Sequence, residues 1–371
     1  MRTEMLPAPL RALPLAMLGA VTGATLLGLL TLYSAAGGDL FPWAFNQGLR
    51  FAVLFGVMLG LSYVRVETWR ALAYPFYAAS LVLLVLVEAM GHVGMGAQRW
   101  IDLGIIRLQP SEFMKLAVVL SLARFFHGVP PRYVGRAATL VVPAALIGVP
   151  AALVMLQPDL GTALMISFSG VAMLFLAGVR LRWFIGGAAL AAAAMPIAWG
   201  MLHDYQRNRV LIFMDPESDP LGTGYHITQS KIAIGSSGLF GKGYLRGPQN
   251  HLDYLPEKQT DFIFATMMEE WGLVGGLVTL ALYGYVIWWG LDLAQRCRTV
   301  FARLAAMGLS FTLFLYVGIN LSMVMGLAPV VGIPLPLFSY GGSAMMTVMI
   351  LLGIMIGIHR EEGRRSGGGL L

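Results

Sequence analysis

The chain has 371 residues, 57% hydrophobic and only 12% charged, with a mean hydropathy of +0.73. That leaves too little polar surface to cover a soluble globule of this size, and the composition reads as a polytopic membrane protein. The net charge of +6 does not indicate nucleic acid, because the basic residues are dispersed over short connections and form no single patch or stripe. The lone cysteine, Cys297, permits no internal disulfide and has no neighbouring ligand set, which argues against redox chemistry and zinc.

Apolar runs of roughly 17–25 residues, enough to cross a bilayer, fall near 13–33, 48–64, 71–90, 111–127, 137–156, 160–179, 183–202, 262–291, 303–325 and 338–358. The expected fold is therefore all-α, a single membrane domain over 1–371 with about ten transmembrane helices. The first run follows Arg2 and Arg11 and exceeds the core of a signal peptide. Although Ser34-Ala35-Ala36 weakly resembles a cleavage site, the run reads as a retained span. An even number of spans puts both termini on one face. Arginines such as Arg65, Arg124, Arg180, Arg298, Arg303, Arg360 and Arg364 share that face, so the positive-inside rule makes it cytoplasmic.

The opposite face receives Arg50, Arg99, Arg107, Arg207, Arg209 and Arg246 and all four lysines, Lys115, Lys231, Lys242 and Lys258. Cations kept there against the topological bias need another reason. Many lie in the 91–110 and 203–261 connections. The second, between the seventh and eighth spans, mixes aromatics, charges and glycines and reads as an ordered, large loop on the outer face with a functional role. Pro143, Pro150, Pro196, Pro329, Pro334 and Pro336 are expected to kink or break helices around a cavity open to that outer face.

Asp261 closes the polar run Pro256-Glu257-Lys258-Gln259-Thr260-Asp261 and precedes the apolar Phe262-Ile263-Phe264-Ala265. A carboxylate at the mouth of a membrane bundle marks a pathway or a reactive site. It also suits a helix N-cap, and the two roles can coexist. Glu112 and Lys115 share one face of a helix opened by Pro110, either as a structural ion pair or as a cation offered to an anionic substrate. Asp159, in the turn Gln157-Pro158-Asp159-Leu160-Gly161-Thr162, is best read as a cap. Arg207 and Arg209 could grip phosphate oxygens, or be solvated and paired with Asp204 and Asp215. The glycine-rich Gly235 to Gly243 stretch is no P-loop: Ser236 stands where the pattern needs glycine, and Gly243 where it needs Ser or Thr.

One carboxylate with several cations at an outer-leaflet cavity fits glycosyl transfer from a lipid pyrophosphate donor. The base takes a proton from the acceptor hydroxyl, cations hold the departing anion, and no second acid is required. A lipid flippase or transporter fits the intramembrane charges too, and a scaffold role would tolerate cavity substitutions.

The block Leu255-Pro256-Glu257 through Thr260-Asp261-Phe262-Ile263-Phe264-Ala265 resembles the hallmark of the SEDS (shape, elongation, division and sporulation) family. So do Gln98-Arg99-Trp100-Ile101, Gln109-Pro110-Ser111-Glu112 with Lys115, Gln157 to Thr162, Asn320 to Gly326, and Phe338-Ser339-Tyr340-Gly341-Gly342-Ser343. Lys258 and Tyr205-Gln206 with Arg209 are more like the elongation branch than the division branch. The resemblance implies a ten-helix peptidoglycan glycosyltransferase of the bacterial inner membrane that polymerises lipid II on the periplasmic side. It further implies a class B penicillin-binding protein partner and elongation-complex proteins such as MreC and MreD. By it, Asp261 is the essential acid, acting as general base or metal ligand. Glu112 and Lys115 line the cavity, with Arg207, Arg209 and Lys258 as further substrate-binding candidates. A divalent cation, Mg or Mn, could bridge Asp261 to pyrophosphate, but no clustered ligand set in the sequence establishes a metal site.

Overall fold

The computed structural model describes residues 13–90, 92–94, 97–102, 107–201, 204–215, 219, 222–251, 254–255 and 257–367. Ten helices form the membrane body: α1 (Leu15–Ala35), α2 (Ala44–Leu61), α3 (Val66–Met90), α4 (Pro110–Gly128), α5 (Ala137–Leu156), α6 (Leu160–Leu176), α7 (Leu181–Met201), α11 (Ile263–Arg296), α12 (Val300–Val324) and α13 (Gly342–Gly367). Seven of them are long and apolar enough to cross a membrane, and α6 and α7 carry shorter apolar stretches. Each of the ten expected runs falls mainly on one of these helices, although the last helix runs Gly342–Gly367 against the expected 338–358 and α4 is not among those long and apolar enough to cross a membrane.

Burial runs in the sense of a membrane protein. Helix α7 exposes Ile185, Leu190, Met195 and Ile197, and α2 exposes Leu49, Val53 and Val57. Ionisable Glu112, Lys115, Glu269 and Glu270 are buried instead. Apolar side chains face outward because the surroundings are hydrocarbon, and charges turn inward because lipid cannot solvate them. Helix α4 is the central element, fully buried from Met114 to Ala123, and packs against α3, α6 and α12. Around it α1 packs on α11, α2 on α13, α5 on α6, and α11 on α12.

The connection of 91–110 carries a small antiparallel sheet that a search for apolar runs passes over: β1 (His92–Gly94), β2 (Ala97–Asp102) and β3 (Arg107–Leu108), with β2 central. His92 pairs with Trp100, and Ile101 with Leu108. The long connection holds α8 (Asp204–Met214), α9 (Thr223–Gly235) and α10 (Pro248–His251). Helix α9 docks on the bundle, where Ser230 donates to the Val324 carbonyl at 2.7 Å.

Helix α11 breaks at Gly272 (φ 65°, ψ −161°), where no proline stands. The loop 238–243 fills the break. Lys242 and Gly243 N–H groups donate to the Glu269 and Glu270 carbonyls, while Leu273 and Val274 N–H groups donate to Gly238 and Leu239. Two carbonyls before the break and two N–H groups after it thus find partners in the loop. The fit is possible only with glycine: a Cβ on Gly272 would lie 2.3 Å from Gly241 N, and one on Gly241 would lie 2.2 Å from Glu270 O.

The prolines before the last span behave as expected. Residues 325–341 are non-helical, exposed at Met325 and Leu327 but sunk in protein from 333 to 339, with Leu335, Phe338 and Ser339 nearly inaccessible. Gly28 on α1 lets this segment approach, since a Cβ there would lie 2.7 Å from Phe338 Cα. Pro143, Pro150 and Pro196, by contrast, sit inside the continuous helices α5 and α7.

Candidate functional site

Asp261 lies in the turn 257–262 at the head of α11. The helix itself starts at Ile263 with Phe262 at the N-cap position and no side-chain cap. The cap reading of Asp261 therefore needs correction, because the carboxylate stands one residue before the position that could bond the first turn. Asp261 is partly exposed.

Three chain segments fix this turn. Phe262 and Thr260 N–H groups donate to the Glu257 carbonyl at 3.3 and 3.0 Å, and the Thr260 hydroxyl donates to the Glu257 carboxylate. Glu257 holds φ 55° to make that closure. From α12, the fully buried Asn320 donates through Nδ2 to the Asp261 carbonyl at 3.0 Å and to the Ile333 carbonyl at 2.8 Å. From the 325–341 segment, Tyr340 N–H donates to the Gln259 carbonyl at 2.8 Å. Gly332 (φ 74°) passes close to the carboxylate, and a Cβ there would lie 3.7 Å from Asp261 Oδ2.

One turn along the same face of α12, Tyr316 donates to Glu112 Oε2. Glu112 Oε1 accepts from Lys115 Nζ at 2.6 Å, and Lys115 stands 4.2 Å from the Tyr316 ring centroid. Lys115 is 1% exposed and Glu112 5%. This is a closed triad, with Lys115 committed to Glu112 and Tyr316, so the geometry matches the ion-pair reading of the two. Asp159 is the cap expected of it: it accepts from Thr162 N at 3.1 Å and Thr162 Oγ1 at 2.9 Å, and Gln109 Nε2 donates to it at 3.2 Å. The 157–162 turn meets the 325–341 segment where Gly161 approaches Val331 O.

The remaining cations are more dispersed. Arg207 turns back to the end of α7, donating to the Trp199 and Gly200 carbonyls at 3.0 and 2.6 Å, so part of its guanidinium closes a helix end. The side chain of Arg209 lies outside the described residues. Lys258 is half-buried in the same turn as Asp261. Arg50 of α2 is a cation absent from the candidate set: it packs 4.6 Å from the Tyr340 ring and donates to its hydroxyl at 3.2 Å, next to the residue that ties down Gln259. Its position on the outward face was the available signal. Also missed were Asn320 and Tyr316, whose value lies in which distant segment each one reaches.

Among the described residues no group of three or more His, Cys, Asp or Glu side chains comes together.

A family model described as cell cycle protein, covering FtsW, RodA and SpoVE, matches residues 12–364. The chain belongs to this family. Peptidoglycan glycosyltransferase MrdB of Escherichia coli K12 is 48% identical over 336 residues, 90% of each chain. Among solved structures, a chain described under "Structural coordination of polymerization and crosslinking by a peptidoglycan synthase complex" is 35% identical with TM-score 0.82, covering 94% of this chain and 98% of that one. The Thermus thermophilus rod shape determining protein RodA is 30% identical with TM-score 0.72, covering 94% and 97%. For a FtsW/RodA/SpoVE protein, the convergence of 109–115, 157–162, 257–261 and 320–343 gives the blocks scattered through the sequence a common physical purpose. They are joined by contacts that run from Gln109, Glu112 and Asp159 through α12 and the 325–341 segment to the Asp261 turn.

Proposed function

We propose that the chain is a peptidoglycan glycosyltransferase that polymerises lipid II into glycan strands during cell elongation, with Asp261 as its reactive acid. The observation that carries this reading is the fixation of the Asp261 turn by Asn320, Tyr340 and the Glu257 carbonyl, in which Asp261 is only partly buried. Relatives named as glycosyltransferases support the activity over the flippase alternative.

In the proposed reaction, the Asp261 carboxylate accepts the proton of the acceptor sugar hydroxyl as that oxygen attacks the anomeric carbon of the donor. The bond from that carbon to the lipid pyrophosphate breaks, and the pyrophosphate leaves as a stable anion without a proton. Lys258 and Arg209 are the cations proposed to stabilise it. Lys115 serves by holding Glu112 and α12 in place. A divalent ion at Asp261, when bound, would supply further charge for the departing phosphates.

The proposal places this face of the bundle in the periplasm and both termini in the cytoplasm, the chain lying in the bacterial inner membrane. A class B penicillin-binding protein would crosslink the strands, with MreC and MreD as further partners. The synthase complex among the structural neighbours supports the first of these.

The deciding experiment supplies purified lipid II to Asp261→Asn, matched to the parent in expression, monodispersity and partner binding. Asparagine keeps size and hydrogen bonding but removes charge and basicity, and polymer should fall by at least about 10²-fold. Polymer at the parental rate would remove Asp261 from the chemistry.

A further inference from the structure

On the face of the bundle opposite Asp261, the turn after α2 and the last turns of α13 enclose a cavity of about 420 Å³ lined by Ser62, Val64, Arg65, Gly357, Arg360, Glu361 and Arg364. Three guanidinium groups and one carboxylate share it. Glu361 spends one oxygen on the Val66 N–H at 3.0 Å. Arg360 is only 6% exposed; it lies 3.7 Å from the Tyr63 ring centroid and makes one hydrogen bond, from Nη1 to Ser62 Oγ at 3.1 Å. Arg65 and Arg364 are exposed and make no side-chain hydrogen bond or ion pair among the described residues.

Topology alone asks only that arginines be numerous near helix ends on one side. It does not ask that one of them be buried under an aromatic ring, with four of its five N–H groups making no hydrogen bond among the described residues, in the wall of a cavity that two others line. Glu361 is the single carboxylate against three guanidinium groups, so the cavity keeps an excess of positive charge that a bound anion would offset, and a guanidinium fork matches phosphate oxygens in bidentate fashion. The lipid side of the cavity is equally specific. Phe45, Leu49, Val53 and Val57 repeat every four residues along α2 and are exposed at 50%, 57%, 60% and 43%, an apolar stripe that runs up to the cavity. Tyr63, 60% exposed at its end, is the kind of side chain that marks the headgroup level.

We infer that this cavity binds a phosphate group, and that the stripe on α2 makes an anionic phospholipid its natural source, with the headgroup among Arg65, Arg360 and Arg364 and an acyl chain along Val57 and Val53. Basic pockets between helices at a membrane face bind such headgroups.

The test is competition between phosphatidylglycerol and phosphatidylcholine for the purified full-length protein, read by native mass spectrometry, together with thermal stability in added inorganic phosphate. The parent should retain phosphatidylglycerol over phosphatidylcholine, and Arg65→Gln with Arg364→Gln should lower that preference by at least about tenfold. Both side chains are exposed, so the double variant should fold. The control Arg132→Gln with Arg182→Gln, exposed and outside the cavity, should keep the preference. Stabilisation by inorganic phosphate that the double variant loses, without any lipid preference, would keep the site and assign it to a soluble phosphate. Equal retention of both lipids with no phosphate effect, or equal losses in double variant and control, would overturn the site.

Discussion

Asn320 joins Asp261 to Ile333: its single side-chain nitrogen donates to both backbone carbonyls, at 3.0 and 2.8 Å, from a fully buried position on α12. One amide thus ties the head of α11 to the non-helical segment that passes beneath it.

Asn320→Ala should therefore do two things. It leaves two carbonyls without this donor, at a cost of about 1–3 kcal/mol each where they stay buried. It also frees the Asp261 turn while keeping every atom of the carboxylate. The expected outcome is a lower melting temperature and a polymerisation rate reduced by about tenfold or more, since small misplacements of a reacting group are costly. Parental activity in a destabilised protein would show that Asn320 serves stability alone.

The triad of Lys115, Glu112 and Tyr316 separates a structural from a substrate-binding role. Lys115→Ala strands a buried carboxylate, which typically costs about 3–5 kcal/mol, whereas Lys115→Met with Glu112→Gln removes both charges and should be far milder. If the pair is structural, the double variant regains most of the thermal stability and activity lost in Lys115→Ala. Recovery of stability without activity would instead return Lys115 to the substrate.

The ten helices were legible because a run of apolar residues in lipid has one reading. Asp159 as a cap was legible because capping is local in sequence. The break at Gly272 was not, since nothing in Trp271-Gly272-Leu273 distinguishes a tolerated glycine from a broken helix until the 238–243 loop is seen to supply the partners. The role of Asn320 was hidden for the same reason: its acceptors are 59 and 13 residues away. The cap reading of Asp261 failed by a single residue, the usual scale of uncertainty at helix ends.

That loop gives a third prediction. Glu269, fully buried, accepts from Lys242 Nζ at 2.9 Å and from Gln249 N–H at 3.2 Å, so the loop is held by its backbone and by one ion pair. Gly272→Ala meets both a left-handed φ and a backbone nitrogen, and should unseat the loop. Lys242→Ala strands Glu269 but leaves the backbone ladder intact. Limited proteolysis across 236–247 should show rapid cleavage for Gly272→Ala and slower cleavage for Lys242→Ala. Protection equal to the parent's in Gly272→Ala would mean that the loop is not held through the break.

His226 of α9 stacks near Phe262, with centroids 5.8 Å apart, and burial pushes its pKa below the usual histidine value against the opposing pull of Glu257 and Asp219. The folded state thus favours the neutral ring. Its contribution to stability is present above the unfolded value near about 6.5 and is lost as pH falls through the lowered folded value. Protection factors of 223–235, corrected for the intrinsic pH dependence of amide exchange, should fall between pH 7.5 and 5, and His226→Gln should flatten that dependence. An unchanged pH profile in the variant would remove His226 as the cause.

Cys297 closes α11, 7% exposed, with its thiol donating to the Leu293 carbonyl at 3.3 Å and its pKa pushed up to about 12 by burial, with Glu362 adding to the rise. Because the thiolate is the reactive species, this thiol should resist maleimide near pH 7.5 from either side of the membrane. It therefore cannot report sidedness, although it is the only native thiol in the chain. It serves instead as a silent background for single cysteines introduced at exposed Arg132 and exposed Tyr254, which the order of spans puts on opposite faces. Under the proposed topology an impermeant maleimide applied to intact cells should label Tyr254→Cys and miss Arg132→Cys until the membrane is opened. The reverse pattern would invert the orientation, and labelling of the parent at Cys297 without denaturant would contradict its burial.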